Sequence, residues 1–217
     1  MAETMVEMAP MEATVATAAT AAMGETEATT VDERDLYCEL HLHTLLSIVL
    51  LIHDINSDLL FLQDCTGSQQ PYIKASTDSI LNISKRVSSS GKLGAGALRV
   101  GLVAFRDVGD EYITKPFGFT SDVSVMQKNL STLVATGGGD GPEDITAALD
   151  VALASSWRVD AIKMVILISD APPHGIGEPG DVGKSSVSSH PVNIARRMAE
   201  LGITIVSPMP YAPDNVC

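Results

Sequence analysis

The chain predicts a doubly wound α/β domain with a mostly parallel sheet, and two apolar runs carry that prediction. Leu59-Leu60-Phe61-Leu62 and Met164-Val165-Ile166-Leu167-Ile168 are continuous rather than alternating, as strands covered on both faces must be. Each run is closed by an aspartate, Asp64 after the first and Asp170 after the second, and then by turn residues. Helical periods and further short apolar runs alternate around them, the order that builds a parallel sheet flanked by helices.

Residues 1–34 are Met-, Ala-, Glu- and Thr-rich for most of their length and carry no apolar period, so they read as a disordered acidic tail. They lack the basic stretch and apolar core of a signal peptide. Residues 35–56 contain the apolar segment 42–52, too short to span a bilayer and broken by His43, Thr44 and Ser47. It reads as a core strand or helix packing on the domain that follows over 57–217. There, Ile73, Ile80, Leu81 and Ile83 predict a helix over 71–87. Residues 98–105 read as a strand and 111–120 as a polar edge strand. Ser121 is suited to cap a helix presenting Val125, Leu130 and Leu133. Pro142 suits the first turn of a helix continuing through Ala147, Leu149, Val151 and Leu153. A last helix over 192–201, stopped by Gly202, precedes a strand over 203–206.

Composition bounds the function. With 217 residues, 45% of them hydrophobic, the chain supports one α/β domain with a sizeable core. A formal charge of −13 argues against nucleic acid or an anionic membrane and favours cations and basic partners. Three cysteines, Cys38, Cys65 and Cys217, are too few and scattered for a disulfide framework or a zinc site, which leans towards a reducing compartment.

Chemistry concentrates in three loops. Asp64-Cys65-Thr66-Gly67-Ser68 puts a carboxylate and two hydroxyls at alternate positions just past a buried strand. Such hard oxygen donors suit Mg²⁺, Mn²⁺ or Ca²⁺. Asp170 is the partner carboxylate, because ligands of open doubly wound sheets sit outside the carboxyl ends of the strands, where chain order reverses. The competing reading of each aspartate is a helix cap. In the third loop, 137–145, three glycines permit close backbone approach, and Glu143 and Asp144 either complement a helix dipole or aim a carboxylate at the metal. His41, His43 and His53 have no matched carboxylate and read as structural. Gly183-Lys184-Ser185 lacks the upstream glycine and strand of a phosphate loop. The surrounding 174–190 segment reads as a mobile rim, with His174 as the one candidate base near the metal.

Read in order, Asp-Cys-Thr-Gly-Ser (64–68), Arg99-Val-Gly-Leu-Val-Ala-Phe-Arg-Asp107, Phe119-Thr-Ser-Asp122, Gly-Gly-Gly-Asp-Gly-Pro-Glu-Asp-Ile (137–145), Trp157 and Ser-Asp-Ala-Pro-Pro-His-Gly (169–175) form one series. It resembles the von Willebrand factor type A domains of the alpha-kinase-associated and hemicentin-like kind, over about 58–208. The resemblance implies a Rossmann-like fold and a metal-ion-dependent adhesion site in which Asp64, Thr66, Ser68 and Asp170 hold a divalent cation. Gln69 stands where that family usually has Met, which should alter packing more than ligation. The family's loop-two Thr is also missing. By spacing Glu143 takes its place, with Asp140 as second choice, and the added charge should raise cation affinity while making a partner's carboxylate less welcome. Residues 207–217 are too short and Pro-rich for the helix and edge strand that normally close the domain, so an open edge and self-association are expected.

The implied function is an adhesion or scaffold module whose metal accepts an oxygen, such as an acidic side chain, from a partner protein. The alternatives are a metal-dependent hydrolase or phosphoryl-transfer enzyme, or a regulatory fragment of an alpha-kinase-type protein. No activated nucleophile is evident, so an enzyme is not expected. The absence of a signal peptide favours the cytoplasm, while family analogy allows secretion.

Overall fold

The computed structural model describes residues 56–89 and 97–207. The tail, the apolar segment 42–52, His41, His43 and His53, and the proline-rich end over 208–217 lie outside the described residues.

β1 (Ser57–Asp64) is buried at every position and forms the middle of a five-stranded sheet. On one side it pairs in parallel with β2 (Leu98–Phe105), and on the other with β4 (Ile162–Ile168). β5 (Ile203–Val206) continues in parallel beyond β4, and β3 (Thr114–Thr120) runs antiparallel to β2, giving the order β3-β2-β1-β4-β5. The predicted class, including the polar edge strand, therefore holds.

Alternate β1 side chains feed two cores, which is why its apolar run is unbroken. Leu59 and Phe61 pack with Ile80, Ile83 and Val87 of α1 (Ile73–Ser89) and with Met126 and Leu130 of α2 (Val123–Leu130). Leu60 and Leu62 pack on the other face with Ala148, Leu149 and Ala152 of α3 (Ile145–Leu153) and with Ile194 and Met198 of α4 (Pro191–Glu200). Each buried Leu, Ile, Val, Phe or Met side chain among them contributes about 1.5–3 kcal/mol by leaving water. Gly101 sits where a Cβ would meet Leu60 Cδ1 at 2.7 Å, so a larger residue there would force Leu60 to shift within the second core.

Two helix starts differ from the sequence expectation. Asp122, not Ser121, caps α2, its carboxylate accepting from the Ser124 backbone N–H at 2.8 Å. Pro142 lies ahead of α3 rather than in its first turn. A strand-like bridge between Glu143 and Pro173 holds the chain extended there, with the Glu143 N–H donating to Pro172 O at 3.0 Å. The helix begins only after Asp144 caps it through the Ala147 N–H at 3.1 Å.

Because β1 lies between β2 and β4, the crossovers leave it in opposite directions, and a crevice opens at its carboxyl end. The amino end of β1 is closed by charge. Asp58, fully buried, accepts from Arg99 Nε at 2.9 Å and Nη2 at 2.7 Å, and from the Arg158 backbone N–H and Nε, each at 2.9 Å. Among the described residues no helix is long and apolar enough to cross a membrane.

Candidate metal centre

Asp64 ends β1 one strand away from Ser169 and Asp170, which follow β4. Its Oδ1 accepts from the Thr66 N–H at 2.9 Å and the Thr66 hydroxyl at 2.7 Å, and its Oδ2 accepts from the Ser169 hydroxyl at 2.7 Å. The Thr66 and Ser68 hydroxyls stand 3.3 Å apart, and Ser68 donates to Asp170 Oδ1 at 3.0 Å. A chain of oxygens thus runs from buried Asp64 and Thr66 to exposed Ser68 and Asp170. Asp64 organises its own turn through Thr66 and caps no helix.

Gln69 does more than pack. Its Nε2 donates to Asp170 Oδ1 at 2.7 Å, so the departure from the usual Met touches a predicted ligand directly. The expectation that it would matter mainly for packing is corrected by this contact. Cys65, in the same turn, is buried and in no disulfide, and burial pushes its thiol up to about 12, so it rests as the neutral thiol.

The third loop reaches the crevice at Glu143. Gly137 and Gly138 adopt positive φ (87° and 86°), and the Gly138 N–H is held by Asp110 Oδ2 at 2.9 Å. A Cβ built on Gly138 would lie 3.3 Å from Glu143 Oε1 and 3.5 Å from Thr66 Cβ, so these two side chains share the space beneath the glycines. Glu143 is buried, and its Oε2 has no hydrogen-bond partner. Burial first, and then the charge of Asp64, pushes its carboxyl up to about 9, with Asp107 and Asp110 adding and a Thr66 hydrogen bond opposing. Asp64 itself is raised by burial to about 6, against hydrogen bonds from Thr66 and Ser169.

The 174–190 segment is anchored to acidic side chains rather than standing free. Asp144 accepts from the Ser185 hydroxyl at 2.7 Å and the Ser186 N–H at 2.9 Å, while Asp140 Oδ2 accepts from the Val182 and Gly183 N–H groups at 2.8 and 3.1 Å. Asp140 therefore faces that segment, and the Asp64 cluster has Glu143 beside it instead. His174, the candidate base, is fully buried between Asp107 at 2.7 Å and Asp181 at 2.8 Å. Burial works against its charged form, but hydrogen bonds to Asp181 and Asp107, with the charges of Asp107 and Asp140, raise its pKa on balance. Sequence reasoning quoted Ser169, Gln69 and Asp107 within its motifs but missed their contacts with Asp64, Asp170 and His174. The one available signal was position, because all three lie within two residues of a strand end or of the Asp64 turn.

The residues fit a divalent cation. The Asp64 cluster is oxygen-only, it contains a buried carboxylate oxygen without a partner, and its Asp64 and Glu143 carboxyls are raised first by burial and then by neighbouring negative charge, which a cation would offset.

Comparison with known proteins agrees in fold. A family model described as von Willebrand factor A domain matches residues 58–188. Alpha-protein kinase vwkA of Dictyostelium discoideum is 33% identical over 121 residues, which is 54% of this chain and 19% of that protein. The putative ariadne-like RING finger protein R811 of Acanthamoeba polyphaga mimivirus is 28% identical over 120 residues, 54% of this chain and 11% of that protein. The chain thus spans less than a fifth of the length of these curated relatives. The pilus adhesin SpaC from Lactobacillus rhamnosus GG, in its open conformation, superposes with a TM-score of 0.57 at 16% identity, covering 76% of this chain and 25% of that one.

Proposed function

The chain belongs to the von Willebrand factor A domain family, and from that premise we propose that it is a divalent-cation-dependent protein-binding module. Asp64, Thr66, Ser68, Glu143 and Asp170 would hold the ion, Mg²⁺ first and Mn²⁺ or Ca²⁺ as relatives. The bound cation would supply a Lewis-acidic position for an oxygen of the partner. One observation carries the reading: buried Asp64 and Glu143 sit under an exposed Ser68–Asp170 rim, so the protein closes the site from below and leaves its outer side to a partner.

Charge decides which oxygen the site accepts. In the metal-free protein burial and the charge of Asp64 favour the neutral acid of Glu143, and a dication bound beside it would favour the carboxylate. With Glu143 ionised the site carries a net negative charge, and a neutral hydroxyl or amide oxygen fits better.

Calorimetry with Mg²⁺ and Mn²⁺ tests the site, and pull-down with and without EDTA tests its use. Wild type should bind one ion at this site, and Asp64→Ala and Asp170→Ala should each weaken binding by tenfold or more. Partners captured by wild type should be lost in EDTA and from Asp170→Ala. Undiminished cation affinity in both variants would sink the proposal and leave the aspartates as turn and cap residues.

A further inference from the structure

We propose that Asp107, Asp140 and His174 form a second cation site, separate from the Asp64 cluster and suited to a transition-metal dication such as Zn²⁺. Among the described residues, this is the group of carboxylate and imidazole ligands whose donor atoms all lie within 4.8 Å of one another. It brings together the ends of three loops: Asp107 follows β2, Asp140 precedes α3 and His174 follows β4.

A count of hydrogens shows why the cluster asks for a cation. Three carboxylates, those of Asp107, Asp140 and Asp181, converge on one imidazole. Even fully protonated, that ring has two N–H groups. Asp107 Oδ1 takes one at 2.7 Å and Asp181 Oδ1 the other at 2.8 Å. Asp140 Oδ1 is left 3.9 Å from His174 Nε2 with no hydrogen-bond partner, on a side chain only 9% exposed. The second oxygen of Asp140 is held by the Val182 and Gly183 N–H groups, which aims the first at the ring. A buried carboxylate oxygen left bare is costly, and a proton on the ring cannot reach it.

A metal ion in place of the Nε2 proton serves all three ligands. Donor atoms on one tetrahedral ion at about 2.1 Å stand roughly 3.4 Å apart, and the separations of 2.7 and 3.9 Å straddle that spacing. Asp181 on Nδ1 is the outer carboxylate that metal-bound histidines commonly use, since it fixes the tautomer and leaves Nε2 for the ion. Gly183 closes over the ring, where a Cβ would meet His174 Cε1 at 2.6 Å. One nitrogen and two carboxylates favour Zn²⁺, Co²⁺ or Mn²⁺ over Mg²⁺, in contrast to the oxygen-only cluster around Asp64.

The inference does not rest on the reading of that cluster, and the test separates them. The full chain, stripped of metal and given excess Mg²⁺, is titrated with Co²⁺ and then Zn²⁺, following the visible absorption of Co²⁺ and the Zn²⁺ retained after dialysis. Wild type and Asp64→Ala should each hold one Co²⁺ that Zn²⁺ displaces. His174→Gln and Asp140→Asn should lose it, and Asp181→Asn should weaken it by roughly 10- to 100-fold. Circular dichroism checks folding, and if His174→Gln does not fold, Asp140→Asn and the wild-type spectrum decide. Three results overturn the proposal: no Co²⁺ or Zn²⁺ bound by wild type, binding abolished in Asp64→Ala, or wild-type affinity in folded Asp140→Asn.

Discussion

β1 carries two buried aspartates with opposite electrostatic fates, and replacing each by asparagine should separate a structural charge from a functional one. Asp58 meets Arg99 at 2.7 Å and Arg158 at 2.8 Å, and these partners lower its pKa although burial alone would raise it. Breaking a buried pair of this kind costs about 3–5 kcal/mol. Both guanidiniums keep about a quarter of their surface in water (25% and 22%), so Asp58→Asn should fall at the low end, about 3 kcal/mol. For a chain of this size that is a fall of roughly 6–12 °C in melting temperature. Asp64 has no such cation. Its rise from 3.8 to about 6 means that its charge is disfavoured by about 3 kcal/mol in the metal-free protein. An asparagine can still accept from Thr66 and can donate to Ser169 Oγ in place of receiving. Asp64→Asn should therefore range from neutral to about 2 kcal/mol more stable in EDTA, allowing for the weaker hydrogen bonds of a neutral acceptor.

The pH dependence follows with opposite signs. The contribution of Asp58, whose folded pKa is lowered, is present above 3.8 and lost as pH falls through that lowered value. Asp64, with its folded pKa raised, favours the metal-free fold most below 3.8, and this advantage is lost as pH rises through about 6. Urea melts of wild type and both variants in EDTA, at several pH values, and again in Mg²⁺, are the assay. Mg²⁺ at a hundred times its dissociation constant should add about 2.7 kcal/mol to wild type and to Asp58→Asn, and little to Asp64→Asn. If Asp64→Asn loses as much stability in EDTA as Asp58→Asn does, the reasoning from charge is wrong.

The other expectations concern the ligands that differ from the family pattern. Glu143→Thr should weaken Mg²⁺ binding without unfolding the domain, and Asp140→Ala should change it less; calorimetry showing the reverse order would move the loop-two ligand to Asp140. Gln69→Met removes an amide that competes with the cation for Asp170 Oδ1, a hydrogen bond to a charged group of roughly 1.5–3 kcal/mol, so Mg²⁺ should bind more tightly. Weaker binding in that variant would mean that the amide positions Asp170 instead.

The strands were legible because their signal is local. The unbroken run 59–62 declares a strand covered on both faces, and β2 and β5 fall where their apolar runs lie. Asp64, Thr66, Ser68 and Asp170 were legible for a related reason, since hydroxyl spacing and strand ends are properties of neighbouring residues. The starts of α2 and α3 were less so. Several residues near each can cap, and the choice of Asp144 depends on the bridge from Glu143 to Pro173, a strand and a helix away in sequence. The charge state of Glu143 and the meeting of Asp107, Asp140 and His174 were not legible at all. They depend on β2, β1 and β4 lying side by side, which brings the loops after β2 and β4 and the loop before α3 to one end of the sheet. Burial then does what no spacing rule encodes. It raises the carboxyls of Asp64 and Glu143 and leaves one oxygen each of Glu143 and Asp140 without a donor, because water is excluded only once the strands have paired.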